Sequence, residues 1–482
     1  MMSRSTTLLA LIAVALTAYR AWIIHHLGID PYVDEAYYWG WSRALDWGYY
    51  SKPPVIAAMI AASEALLGHT LLALKLPALL SYPVAAFLIN AVGSRLFAPR
   101  VGFWSALAFL TLPLVSTLGL FVSTDAPLLM FWALGMWALV RALESAAWRH
   151  WLVVGVALGL GLMSKYTMAA FAGSALLVML AQPAGRRQLL TLRPWAALAL
   201  GIAIFAPNIG WNIEHDFPTF RHTAEITRLE SRGWAPGELV EFIGAQWLSF
   251  GPVLTLGLLW AILRLHRLWY QSAYRTLFLL SLPLLLLVCA QALTGRANGN
   301  WAAPVFVAAC VLVPASLFDA GRRRLLVVAV GLNFALGMAV YHWPDIARFG
   351  GIALSAKNDP YKRARGWSAL NDGVAPFVAQ YPEAIVVASD RELLAQAIYR
   401  LALTRYASWN PAQHVIDHYQ LTTSLRAGEP RPVLYLSRTA DIPAIASRFA
   451  SATPLGEVHV AIHRDFDRRL YLFLLEGFKG YQ

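Results

Sequence analysis

Chemistry is concentrated first in residues 25–54. Two adjacent acids, Asp34 and Glu35, stand just ahead of the aromatic residues Tyr37, Tyr38, Trp39 and Trp41. The stretch closes on Tyr49, Tyr50, Ser51, Lys52, Pro53 and Pro54. A carboxylate in such a segment can take a proton from an attacking hydroxyl or amine. The rings offer faces for a sugar. Two prolines after Lys52 hold the backbone extended, so its ammonium is expected on a rigid turn suited to a phosphate. Plainer readings stand beside these: Asp34 as a helix cap, the tryptophans as an interfacial belt, and Lys52 as a snorkelling side chain.

Further along, Asp125 lies in Ser123-Thr124-Asp125-Ala126-Pro127. That pattern fits a helix start with proline in the first turn, or a second acid for the same chemistry. Lys165 and Tyr166 interrupt the otherwise apolar stretch 151–182. A charge there is costly unless it faces protein or water, and a phosphate or carboxylate is its natural partner. Arg20, near the outer end of the first apolar run, reads the same way. Residues 210–235 hold Trp211, Asn212, His215, Asp216, Arg221, His222, Arg228 and Arg232, a set able to close over a sugar phosphate. His215 and Asp216 lack the spacing of a zinc pair on one helix. No cofactor or metal site is expected, although use of a divalent ion stays open. Arg296, Asn298, Asn300 and Trp301 either line the same cavity or anchor an interface.

These residues must be positioned by apolar helices. Of 482 residues, 58% are hydrophobic and 14% charged, against roughly 25% charged in soluble domains. Apolar runs predict about eleven transmembrane helices, near 7–24, 70–94, 102–122, 127–143, 151–164, 167–182, 194–209, 247–263, 276–293, 301–318 and 325–343. The first run has no small-residue cleavage site after it and reads as a span rather than a signal peptide. Residues 53–67 are apolar but short, and read as interfacial or re-entrant. With the N-terminus inside, arginine clusters such as Arg186, Arg187 and Arg193, and Arg322 to Arg324, fall in inner loops, whereas Asp30, Asp34, Glu35, Asp46 and Asp125 fall outside. This obeys the positive-inside rule. The net charge of +12 is scattered in short clusters between apolar runs, which excludes nucleic-acid binding. Cys289 and Cys310 lie in apolar runs and read as packing residues.

The composition changes near residue 344. Residues 1–343 are expected to form the membrane domain and 344–482 a periplasmic α/β domain. Ala384–Ser389 and Pro432–Leu436 read as buried strands, His459–His463 and Leu470–Leu475 as further strands, and 390–402 as a helix capped by Asp390.

Taken together, the first outer stretch with its Asp34-Glu35 pair, the Tyr49–Pro54 closure, Thr124-Asp125-Ala126-Pro127, Ser164-Lys165-Tyr166-Thr167 and the Trp211–His222 loop resemble the GT-C class of integral-membrane glycosyltransferases. The branch is the bacterial one related to protein O-mannosyltransferases and the lipid A aminoarabinose transferase. The resemblance covers about residues 1–240 well; the later spans match by position. It implies a multi-pass enzyme of the bacterial inner membrane with its site on the periplasmic side. The donor would be a polyprenyl-phosphate sugar, and the acceptor lipid A or another glycolipid, a polysaccharide or a protein. It implies Asp34 as the principal catalytic acid residue with Glu35 beside it, and a carrier-phosphate contact at Lys52; the residues themselves offer Asp125 as a further acid. Lys165, Arg228 and Arg20 are further candidates for the phosphate, and Tyr37, Tyr38, Tyr50, His222 and Trp211 for sugar or acceptor. In-line attack at the anomeric carbon would invert it. The rival reading is a transporter or lipid flippase, which would place its polar site near the midplane on broken helices.

Overall fold

The computed structural model describes residues 4–227, 233–412 and 414–481. The chain forms two compact units, one of residues 1–23 and 52–341, the other of residues 24–51 and 342–482. The sequence reading placed 25–52 with the membrane domain. In the structure, residues 24–51 pack with the C-terminal part instead.

Among the described residues, six helices are long and apolar enough to cross a membrane: Arg4–His26, Leu71–Leu96, Asp125–Ser145, Leu192–Glu214, Ser272–Thr294 and Arg323–Tyr341. Two bent pairs bring the number to eight if each is one span. Tyr166–Ala181 turns by 114° into Pro183–Leu189, and Pro236–Phe250 turns by 111° into Pro252–Leu263. The chain is therefore a multi-span membrane protein. The other three of the eleven expected stretches are helical but shorter or broken, at Pro99–Leu110 with Pro113–Leu118, at Trp148–Leu162 and at Val305–Asp319. Val55–Leu67 has 13 residues. At about 1.5 Å per residue it falls short of the ~30 Å hydrocarbon layer.

Small residues let these helices approach. A Cβ on Gly93 would lie 2.8 Å from Gly102 Cα, and one on Gly155 would lie 2.5 Å from the Ala197 carbonyl oxygen. Between apolar helices such close contact supplies the dispersion that water exclusion cannot. The bend at Gly251 is of another kind. Its φ of +89° suits glycine. A Cβ there would meet Asn333 Oδ1 at 1.8 Å, and Asn333 Nδ2 donates to the Phe250 carbonyl at 3.1 Å.

The second unit is built on a five-stranded sheet. Its strands are β1 (Ile385–Ala388), β2 (Tyr406–Ser408), β3 (Val433–Ser437), β4 (Ser451–His463) and β5 (Phe466–Glu476), in the order β2-β1-β3-β5-β4. β1 is parallel to β2 and β3, while β5 is antiparallel to β3 and β4. β1 and β3 are buried along their whole length, the apolar-run pattern expected of them. Asp390 caps the helix Arg391–Leu401, accepting from Glu392 and Leu393 N–H at 2.7 and 3.1 Å.

Residues 24–51 are tied to this framework at several points. Asp30 N–H donates to the Ala364 carbonyl at 2.7 Å, and Asp30 Oδ2 accepts from Trp367 N–H at 2.7 Å. The helix Val33–Ser42 packs on Arg391–Leu401. Gln396 Nε2 donates to the Pro31 carbonyl at 2.8 Å, and the Trp39 ring meets Tyr399 edge-on at 5.2 Å.

Candidate functional site

In the second unit, Asp34 is the second residue of Val33–Ser42, so it does not cap that helix; Tyr32 occupies the cap position. Glu35 does the capping work. Its Oε2 accepts Tyr32 N–H at 2.7 Å, and its own N–H donates to the Tyr32 carbonyl at 2.9 Å. The three candidate acids differ in access. Glu35 is 0% exposed, the Asp125 side chain 3% and the Asp34 side chain 43%. Asp34 Oδ1 accepts from Arg391 Nη2 at 3.2 Å, and the same guanidinium lies 4.7 Å from the centre of the Tyr37 ring.

The aromatic residues nearby are mostly spent on protein. Tyr37, Tyr38 and Tyr50 are buried. Tyr37 Oη accepts from His418 N–H. Burial pushes the Tyr37 phenol well above its ordinary range, helped by Asp417 and opposed by Arg391. Tyr38 packs on Trp41 at 4.9 Å. Trp41 and Tyr49 stack at 4.5 Å with an interplanar angle of 2°. Burial pushes the Tyr49 hydroxyl up to about 12, so it stays a donor, to the Trp41 carbonyl at 3.1 Å.

In the first unit, Asp125 is the centre of a polar cluster. Oδ1 accepts from Lys165 Nζ at 2.7 Å and Oδ2 from Asn300 Nδ2 at 2.7 Å. Thr124, at the cap position, makes no side-chain capping bond. Lys165 is held on a turn between Trp148–Leu162 and the short helical turn Tyr166–Met168. Two anchors fix that turn. Tyr166 donates to Asn208 Oδ1 at 2.7 Å and accepts from Asn212 Nδ2 at 3.2 Å. Val55 N–H donates to the Met163 carbonyl at 3.0 Å, which brings the Lys52-Pro53-Pro54 turn beside the Lys165 turn. Asn300 is set by the 3-10 turn Gly299–Ala302, whose Gly299 carbonyl accepts from Gln246 Nε2 at 2.8 Å.

The remaining candidates are placed as follows. Arg20 is buried and donates to Tyr341 Oη at 3.0 Å and to the Leu110 carbonyl at 2.8 Å, so much of its guanidinium is engaged in joining helices. Trp211 is buried and stacks on His215 at 4.3 Å. His222 is half-buried on Pro218–Ile226. Arg228 and Arg232 lie outside the described residues. No group of three or more His, Cys, Asp or Glu gathers as a metal site among the described residues.

Sequence reasoning missed three features. Arg391 faces Asp34 across 357 positions of chain. Asn208 does not stand out in an apolar helix until Tyr166 is seen to reach it. Lys75 is fully buried, its ammonium 4.9 Å from the Phe121 ring centre; a lysine inside an apolar run was the signal that could have found it.

Comparison with known proteins places the chain in a family. Residues 51–211 match the family model described as dolichyl-phosphate-mannose-protein mannosyltransferase. The lipid A galacturonosyltransferase RgtD of Rhizobium johnstonii is 30% identical over 452 residues, covering 93% of each chain. An undecaprenyl phosphate-alpha-4-amino-4-deoxy-L-arabinose arabinosyl transferase of Pseudomonas savastanoi pv. phaseolicola is 29% identical over 163 residues, 32% of this chain and 30% of that relative. Among solved structures, ArnT of Cupriavidus metallidurans bound to undecaprenyl phosphate shares the fold. The TM-score is 0.66 at 14% identity, covering 97% of both chains. The transporter or flippase reading falls with these relatives: the chain belongs to the GT-C integral-membrane glycosyltransferases, in the bacterial branch related to the lipid A aminoarabinose transferase and the protein O-mannosyltransferases.

Proposed function

We propose that the enzyme transfers a sugar, and specifically a galacturonosyl group, from a polyprenyl-phosphate donor to lipid A at the periplasmic face of the inner membrane. The sugar and acceptor follow the lipid A galacturonosyltransferase that matches 93% of the chain. The donor follows the aminoarabinose transferases and the undecaprenyl phosphate held by the ArnT neighbour. The outward orientation rests on the placement of the arginine clusters.

The observation that carries the mechanism is the exposure of Asp34. Among the three candidate acids it alone offers a carboxylate open to solvent, at 43% against 0% for Glu35 and 3% for Asp125. A base must be within hydrogen-bond reach of the proton it takes. In the reaction an acceptor hydroxyl oxygen forms a bond to the anomeric carbon, and the bond from that carbon to the phosphate oxygen breaks. The electron pair leaves with the lipid phosphate, and the hydroxyl proton goes to Asp34. Lys52 and Lys165 oppose the charge growing on the phosphate. Asp125 and Asn300 act one step back, by fixing Lys165. Attack from the face opposite the leaving phosphate inverts the anomeric carbon.

The test is mass spectrometry of lipid A from a host that lacks the activity, with and without the active chain, supplied with polyprenyl-phosphate galacturonic acid. A uronic-acid increment on lipid A is expected, and it should vanish in Asp34→Asn. Consumption of an aminoarabinose donor with no uronic acid transferred would overturn the sugar assignment. An increment that survives Asp34→Asn would overturn the base assignment.

A further inference from the structure

The Asp34–Arg391 pair is too exposed to have much structural value. The two side chains are 43% and 39% exposed, and one nitrogen meets one oxygen at 3.2 Å. Pairs of that kind add little to stability. The arginine is nonetheless held with care. It is the first residue of Arg391–Leu401, and the carboxylate of the preceding Asp390 caps that helix. Its guanidinium rests over Tyr37, whose hydroxyl is in turn held by His418 N–H. The helix carrying Asp34 is clamped on the same framework through Pro31 and Gln396, Asp30 and Trp367, and Trp39 and Tyr399. A weak ion pair between two well-fixed backbones sets a direction for a side chain more than it stabilises a fold.

We infer that the C-terminal part of the chain is a platform for the chemistry and that Arg391 is a positioning residue for Asp34. The inference rests on the reading of Asp34 as the base. Arg391 takes one carboxylate oxygen and fixes the rotamer. The second oxygen is then aimed at the acceptor hydroxyl rather than sampling all the orientations open to a half-exposed side chain. A reacting group misdirected by an ångström loses much of its advantage. Lysine can restore the charge but lacks the planar fork that fixes direction.

The test is a double-mutant cycle in the full-length enzyme with lipid-linked donor and lipid A, combining Arg391→Ala with Asp34→Asn. Residues in direct contact show couplings that correspond to about 2- to 150-fold in rate. Arg391→Ala is expected to lower kcat by about 10-fold or more with donor KM unchanged, and to cost under about twofold in the Asp34→Asn background. Arg391→Lys should recover part of the loss. Melting temperatures of Arg391→Ala and the parent should agree within a degree or two. Equal losses in both backgrounds, or a loss that tracks a lowered melting temperature, would make Arg391 merely structural and overturn the inference. If Asp34→Asn itself keeps parental activity, the base assignment fails first. If Asp34→Asn is dead while Arg391→Ala is active, only the positioning role fails.

Discussion

Lys165 and Asp125 are 40 residues apart in sequence and 2.7 Å apart in space, and Asn300 closes on the other oxygen of the same carboxylate at 2.7 Å. Both oxygens of Asp125 are thereby engaged by donors. The pair is buried, with the lysine side chain 13% exposed and the aspartate 3%. Asp125 is therefore placed to hold a cation.

Breaking this pair separates structure from activity. Removal of one partner from a buried ion pair costs about 3–5 kcal/mol, because the other charge is left uncompensated. Asp125→Asn should lower the melting temperature of the detergent-solubilised enzyme and reduce transfer. Asp125→Asn with Lys165→Met removes both charges, and should recover most of the melting temperature but none of the transfer. A double variant that melts no higher than Asp125→Asn would deny the pair its structural role. One that regains activity would remove Lys165 from phosphate binding.

The adjacent acids should behave differently despite their proximity. Asp34→Asn keeps shape but loses basicity, so transfer should fall by roughly 10²–10⁴-fold with no loss of fold. In Glu35→Gln the amide oxygen can still accept Tyr32 N–H, so activity should fall by less than about tenfold. Glu35→Ala loses that acceptor and should cost about 1 kcal/mol of stability. Parallel kinetics and thermal melts on the three variants decide the matter. Equal kinetic losses in Asp34→Asn and Glu35→Gln would mean that the two acids share the work.

Much of this was legible in the sequence for identifiable reasons. Long apolar runs have few alternatives to helix, so Leu71–Leu96 and Ser272–Thr294 could be read directly. β1 and β3 announced themselves because both faces are buried and their residues are apolar but for the terminal Ser437. β2, with three residues, carries too little pattern to read. Spans broken at proline and glycine, such as the pair meeting at Gly251, looked like single runs because hydropathy does not register a bend. The charge of Lys165 in an apolar stretch demanded a partner, but the choice of Asp125 is made by helix packing. The attachment of residues 24–51 to the C-terminal framework left no local trace. Asp30 is an ordinary loop aspartate until the Trp367 N–H, 337 residues away, is seen to bind it.

The bend at Gly251 predicts an intolerant position. A Cβ would lie 1.8 Å from Asn333 Oδ1, and φ is +89°, so Gly251→Ala meets strain and a clash together. Phe250 and Asn333 are both buried, so the Phe250 carbonyl has no water to replace Asn333. Asn333→Leu should therefore cost about 1–3 kcal/mol, and Gly251→Ala at least as much. Yield of folded protein in the membrane fraction, with the melting temperature in detergent, reads both. Wild-type behaviour of Gly251→Ala would show that the two helices are not held at this bend.

Acid should weaken the C-terminal framework through Asp359. Its side chain is fully buried against Arg365 Nε at 2.7 Å and His463 Nε2 at 2.9 Å. Burial alone would raise this carboxyl. The Tyr361 N–H, His463 and Arg365 together outweigh it and hold the group below its ordinary value. A carboxylate whose folded value is depressed adds stability that is complete above the unfolded value, about 3.9. That contribution is lost as pH falls through the folded value. Asp359→Asn removes the charge at every pH. At neutral pH the variant should be less stable than the parent by about 3 kcal/mol, the cost of stranding buried partners. The gap should be present above about pH 5 and shrink below it as the parent's own Asp359 is protonated. Thermal melts of the two full-length proteins from neutral pH to about pH 3 measure it. A gap that is absent at neutral pH, or one that does not narrow in acid, would show that the ionised carboxylate is not what holds Arg365 and His463 in place.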